Sequence, residues 1–175
     1  MDKNYFEFYN IPITLTPDTT ALKKEYYRIS KEFHPDFFAH DADKMAEAME
    51  VTTLNNNAYR TLTNPNKLIK YVLELHDILE EGEKNSLPQE FLMEMMEVNE
   101  QLMELDFDPD EQALAKVKAE IEEKEAELAG EMKQLAANFE QADDKKAVLT
   151  QVKEIYLKNK YLLRIKESLS KFAAS

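Results

Sequence analysis

The chain has 175 residues and a formal net charge of −13, with Gly 2 and Pro 6 set against abundant Glu, Lys, Leu, Ala and Met; so turn-poor a composition predicts one helical domain or two small ones. Cys 0 excludes disulfides and thiolate metal sites, and the acidic balance argues against nucleic acid or an anionic membrane as the main partner. Hydrophobic residues at 43% suffice for a core, no apolar run nears the roughly 20 residues that span a bilayer, and Met1-Asp2-Lys3-Asn4 lacks the features of a signal or transit peptide, so a soluble cytoplasmic protein is expected.

Asn4 to Tyr9 is rich in aromatics (Tyr5, Phe6, Phe8, Tyr9) and reads as a short helical turn on the core, ended by Ile11-Pro12-Ile13. Thr16-Pro17 predicts an N-cap followed by proline at the first helical position. From Ala21 the residues Leu22, Tyr26, Ile29 and Phe33 recur at spacings of 4, 3 and 4, the buried stripe of a helix. Lys24, Arg28 and Lys31 fall about 200° away, with Lys23 and Tyr27 beside them. A solvated face is charged in any case, but a basic cluster inside an acidic chain would steer an acidic partner.

Pro35 pushes His34 out of helical geometry, so the helix ends there and His34, Pro35 and Asp36 are left on an exposed loop. A metal site from His34 and His40 has no convincing third ligand, and a His–Asp catalytic pair has no Ser or Cys nucleophile marked by a motif. His76 stands near a helix end, as a surface or dipole-complementing residue. A second long helix is predicted from Asp43 to Leu62, with Asn55, Asn56 and Asn57 interrupting its apolar stripe, so at least one amide faces the core and is hydrogen-bonded there. Asn64-Pro65 stops it and starts the next helix, from Asn66 to His76.

The basic-faced helix, the run Phe33-His34-Pro35-Asp36 directly after it, and Asn56, Ala58, Tyr59 and Leu62 in the following helix resemble a J-domain. That resemblance implies that His34, Pro35 and Asp36 contact a DnaK-type (HscA-like) chaperone and stimulate its ATP hydrolysis, and that Lys24, Arg28 and Lys31 dock on an acidic surface of it. Asn55 departs from the family, whose members usually carry an aliphatic residue there.

The polar stretch 80–87 reads as a linker between a unit 1–79 and a unit 88–175. Pro88 lies near the start of a helix running to Leu105, and Asp108-Pro109-Asp110-Glu111 predicts another start, with Asp108 as cap. The helix that follows carries a near-heptad seam (Leu114, Val117, Ile121, Leu128, Met132, Leu135, Phe139) whose middle Lys124 and Glu125 disturb. After a turn around Gln141 to Asp144, a last helix shows Val148, Val152, Ile155, Leu162, Leu169 and Phe172. Short connections imply antiparallel neighbours, so the fold class expected is all-α, a helical hairpin followed by a three-helix bundle.

On the helix 91–105, Phe91, Met95, Val98, Leu102 and Leu105 make one sufficient core stripe, while Leu92, Met96 and Met103 make a second about 120° round. No Lys or Arg occurs from Asn85 to Ala115. Spacing alone leaves two readings of the second stripe: an outer edge of the core, or an acid-rimmed partner face served by adaptable Met side chains.

Phe91-Leu92-Met93-Glu94, followed by Glu97, Glu100 and Leu102, is similar to the signature of the HscB family of J-proteins in iron–sulfur cluster assembly. The resemblance covers essentially the whole chain and implies that the C-terminal unit holds an IscU-type scaffold protein through Leu92, Met93, Met96, Glu97, Glu100 and Glu104, with Tyr161 as aromatic neighbour. Met96 and Tyr161 stand where Leu and Phe are usual. The cysteine-rich extension of some relatives is not in this sequence, so no metal or cofactor is expected. The function implied is that of an adaptor without catalytic chemistry. Alternatives are a general J-domain co-chaperone with a different, unfolded client, an enzyme using His34 and Asp36, and a self-associating helical protein.

Overall fold

The computed structural model of the chain describes residues 3–79 and 87–173, all-α, with no strand among the described residues. The chain divides into two compact units, Met1–His76 and Asp77–Ser175. Of the linker read at 80–87, residues 80–86 lie outside the described residues.

In the first unit, α1 (Tyr5–Phe8) opens with a capping box, in which Asn4 accepts from the N–H groups of Phe6 and Glu7 and Glu7 accepts from Asn4. Helix α2 (Thr19–Glu32) starts later than Thr16-Pro17 predicts. Its cap is Asp18, which accepts from the N–H groups of Thr20 at 2.9 Å and Ala21 at 3.0 Å. A carboxylate meets both the orphan donors and the positive helix end, which a hydroxyl does less well. Pro17 therefore precedes the cap.

Next come a 3-10 turn (Pro35–Phe38), α3 (Ala42–Leu62) and α4 (Pro65–Leu75). Asn64 caps α4 with Pro65 at its first position, and His76 closes its other end, Nδ1 lying 2.9 Å from the Val72 carbonyl oxygen. Helix α3 packs against α1, α2, the 3-10 turn and α4. Around it are buried Phe6, Leu22, Ile29, Ala58, Leu62 and Val72, with Asn55 as the one fully buried amide among the described residues. Tyr26 stacks on Tyr59 with ring centroids 4.4 Å apart, joining α2 to α3.

The second unit is a three-helix bundle of α5 (Gln89–Phe107), α6 (Glu111–Phe139) and α7 (Lys145–Ala173), with α6 and α7 paired and α5 packed on both. Its core joins Phe91, Met95, Val98, Leu102 and Leu105 of α5 to Val117, Ile121 and Leu128 of α6 and Ile155, Leu162, Ile165 and Leu169 of α7. The cap of α6 is Asp110, not Asp108, and it accepts from the N–H groups of Gln112 and Ala113. Lys124 and Glu125 do not break the seam. They flank it, Lys124 pairing with Glu94 of α5 at 2.8 Å and Glu125 with Lys166 of α7 at 2.8 Å, so both charges tie the edges of the bundle together.

Adjacent leucines of α7 test this packing. Leu162 is 1% exposed and Leu163 is 56% exposed. Leu162→Ala is expected to destabilise the second unit by about 2–5 kcal/mol in chemical denaturation, through lost burial and the cavity left behind. Leu163→Ala is expected to stay within about 0.5 kcal/mol of wild type.

Candidate functional site

The first unit positions the His-Pro-Asp run at the junction of α2 and α3. Phe33 closes α2, its N–H donating to Ile29 at 2.9 Å, and its own carbonyl accepts the Thr52 hydroxyl at 3.1 Å. The residue before a proline must be extended, and His34 is, at φ −69 and ψ 123. From there the chain enters the 3-10 turn rather than an irregular loop: Phe37 N–H donates to His34 O at 3.0 Å, and the imidazole Nδ1 accepts the Asp36 N–H at 3.3 Å. That bond assigns Nδ1 as acceptor and so places the proton of a neutral ring on Nε2. The Asp36 carboxylate, 86% exposed, lies 3.6 Å from Nδ1, too far for a hydrogen bond. Phe37 is also exposed, its ring 5.7 Å from the imidazole. The turn thus presents an imidazole, a rigid ring and a carboxylate outward. No group of three or more His, Asp or Glu among the described residues is placed to hold a metal ion.

On α2, Lys24, Arg28 and Lys31 share one exposed face, as their spacing predicts, but their charges are not equally open. The Arg28 guanidinium is held by two carboxylates of its own helix, Glu25 at 2.6 Å and Glu32. These are the i−3 and i+4 neighbours, so an ion pair on each side offsets its charge. The hydrogen bond from Arg28 holds the Glu25 carboxyl below the usual carboxylate range, helped by the charges of Arg28 and Lys24. The open positive charge of this face is carried by Lys23, Lys24 and Lys31, for which no ion pair is found among the described residues.

In the second unit, exposure bears on the core-edge reading of the second α5 stripe. Phe91, Met95, Val98, Leu102 and Leu105 face the core. Met96 is 59% exposed and Met103 62%, and Leu92 is half-buried, so this stripe is not a second packed edge. Glu97, Glu100, Glu104 and Met93 are exposed on the same outer side. Glu94 instead turns to Lys124. Tyr161 of α7 sits against α5, its ring edge-on to Phe91 with centroids 5.9 Å apart and its hydroxyl accepting from Asn99 Nδ2 at 3.4 Å. Asn99 lies three residues from Met96 and seven from Leu92, so the Tyr161 oxygen borders that stripe.

Phe107 is a residue that the spacing of the sequence does not single out. It is 88% exposed and follows Met103 by four residues, extending the line Met96, Glu100, Met103 to the last residue of α5. A helix ending at Leu105, as the core stripe predicts, leaves Phe107 in the connection.

A model of the HSCB C-terminal oligomerisation domain matches residues 87–170. Over 169 residues, 95% of this chain and 67% of the relative, the sequence is 30% identical to the iron–sulfur cluster co-chaperone protein HscB of Homo sapiens. It is 34% identical over 132 residues, 74% of this chain and 80% of the relative, to a co-chaperone protein HscB homolog of Neisseria meningitidis. Among solved structures, that of human co-chaperone protein HscB is similar with a TM-score of 0.72 at 28% identity, covering 98% of this chain and 82% of that one. Chaperone HscB from Vibrio cholerae is similar with a TM-score of 0.66 at 26% identity, covering 98% of each chain.

The Arg28 clamp has a pH signature. The folded pKa of Glu25 is depressed, so the pair's contribution to folding is present above the ordinary glutamate range of about pH 4 to 5 and is lost as pH falls through the depressed value. Carboxyl NMR titration of Arg28→Gln is expected to move the Glu25 midpoint upward toward that ordinary range. An unmoved midpoint would show that Arg28 does not set it.

Proposed function

The chain belongs to the HscB family of iron–sulfur cluster co-chaperones, and on that premise we propose that it is an adaptor with one docking face in each unit. The first unit engages a DnaK-type (HscA-like) chaperone. Lys24 and Lys31, with Arg28 once its carboxylates yield, meet an acidic surface, while His34, Pro35 and Asp36 stimulate ATP hydrolysis by the partner. The second unit holds a folded IscU-type iron–sulfur scaffold on Leu92, Met93, Met96, Glu97, Glu100 and Glu104, bordered by Tyr161. The cytoplasm is the compartment proposed; no helix among the described residues is long and apolar enough to cross a membrane.

The observation that carries this reading is the open stripe on α5. A bundle helix with a complete core stripe gains nothing in folding from exposing Met96 and Met103 as well. Such a surface, with three glutamates beside it and thioether side chains that adapt to shape, fits an apolar patch ringed by basic residues. In this scheme the chain does no chemistry. Its work is to raise the local concentration of client at the chaperone, as any bivalent linker does.

Titration calorimetry against an IscU-type scaffold tests the client, and chaperone ATPase assays test the turn. Leu92→Ala combined with Met96→Ala is expected to remove scaffold binding in a protein whose circular dichroism is unchanged. His34→Gln is expected to abolish ATPase stimulation while leaving helicity and scaffold binding intact. Wild-type stimulation by His34→Gln would remove the turn from the mechanism, and absence of scaffold binding by the wild type would remove the client.

A further inference from the structure

Asn55 lies at the middle of α3 with 0% exposure. A buried amide is costly for each polar group left unpaired, and this one has partners on both its nitrogen and its oxygen. Its Nδ2 donates to Tyr26 O at 3.0 Å and to Ser30 Oγ at 3.0 Å, and its Oδ1 accepts the Tyr9 hydroxyl at 2.7 Å. The same hydroxyl lies 3.2 Å from the Asn55 carbonyl oxygen. Burial raises the Tyr9 pKa far above the ordinary phenol range, so the hydroxyl remains a donor at every physiological pH. No buried side-chain polar atom among the described residues lacks a partner.

These bonds belong to a row. On α3, Thr52 donates to Phe33 O at 3.1 Å, Asn55 reaches Tyr26 and Ser30, and Asn56 accepts the Tyr26 hydroxyl at 2.9 Å. The second half of α2 is therefore pinned to α3 at successive turns, the last pin falling on the residue before His34. Apolar contact is non-directional, whereas a hydrogen bond weakens steeply once its angle or length is wrong. An aliphatic residue at position 55 would fill the space with no amide to satisfy. What the amide adds is register.

We propose that Asn55 and Thr52 are positioning residues, which fix α2 against α3 so that His34, Pro35 and Asp36 meet the chaperone in one register. The proposal rests on the reading of that turn as the ATPase-stimulating element. Neither residue touches the partner. Losing both should leave docking through the α2 lysines intact and make the docked turn a weaker stimulus to hydrolysis.

The test uses the whole chain in three forms: wild type, Asn55→Leu/Thr52→Val, and Asn55→Leu/Thr52→Ser. Single-turnover hydrolysis by a DnaK-type chaperone is measured against co-chaperone concentration, and amide hydrogen exchange is followed at Phe33 to Phe38. The Val form is expected to stay folded with a half-saturating concentration near wild type. Its maximal stimulation should fall on the order of tenfold, the scale of a small misplacement of a positioned group, and exchange in the turn should quicken. The Ser form, which keeps the hydroxyl but loses a methyl, should recover the part of the stimulation that the Thr52 bond supplies and still fall short of wild type by the part that Asn55 supplies. Packing predicts the reverse order, since Val fills the site better than Ser. Wild-type stimulation and exchange in the Val form, or better stimulation by Val than by Ser, would overturn the proposal. If wild type itself fails to stimulate, the reading of the turn fails, and exchange in the turn still decides whether the row sets its register.

Discussion

A helix turns about 100° per residue and has only one stripe to give to a core, and both proposed docking faces are the sides that the core leaves over. In α2, Leu22 and Ile29 go inward and the lysines stand on the far side. In α5, Phe91, Met95, Val98, Leu102 and Leu105 saturate the contact with α6 and α7, so Met96, Met103 and Phe107 remain open. Charge alone would make the outer face of α5 ordinary. Exposed apolar groups in line with glutamates distinguish it. The two faces differ in sign, basic on α2 and acidic on α5, which suits an adaptor whose partners must not exchange places.

The His-Pro-Asp turn depends on the same economy at smaller scale. Pro35 forbids α2 from continuing, and the carbonyl this leaves at Phe33 is taken by Thr52. The 3-10 turn beyond it is braced by its own short bonds, Phe37 to His34 and Asp36 to the imidazole. The outward groups therefore stand on a local frame which α3 holds from behind.

Much of this is legible in the residues. Stripes at helical spacing locate α2 to α7 because burial in a helical bundle is periodic, and Asn55 is legible because an amide within an apolar stripe needs partners. Spacing does not supply the partners themselves. Tyr9, Tyr26 and Ser30 come from two other segments, and only the fold brings them to one point. The caps of α2 and α6 each lie two residues beyond the position that proline suggests, since proline marks a start without saying whether a following aspartate will take the cap. The basic face reads as three equivalent cations, although Glu25 and Glu32 stand at the spacings that close on Arg28. Lys124 and Glu125 look like faults in a seam because the counter-ions that tie them across the bundle, Glu94 and Lys166, are on other helices.

The proposed adaptor needs both faces on one chain, and a mixing experiment probes that need. Chaperone ATP hydrolysis is measured with the scaffold present, adding wild type, His34→Gln, Leu92→Ala/Met96→Ala, or an equimolar mixture of the two variants. One variant in the mixture holds scaffold without an active turn, and the other has the turn without a client face. Wild type is expected to give a scaffold-dependent stimulation that the mixture does not restore. A mixture that matched wild type would contradict that need, because the two faces would then work without the tether that joins them.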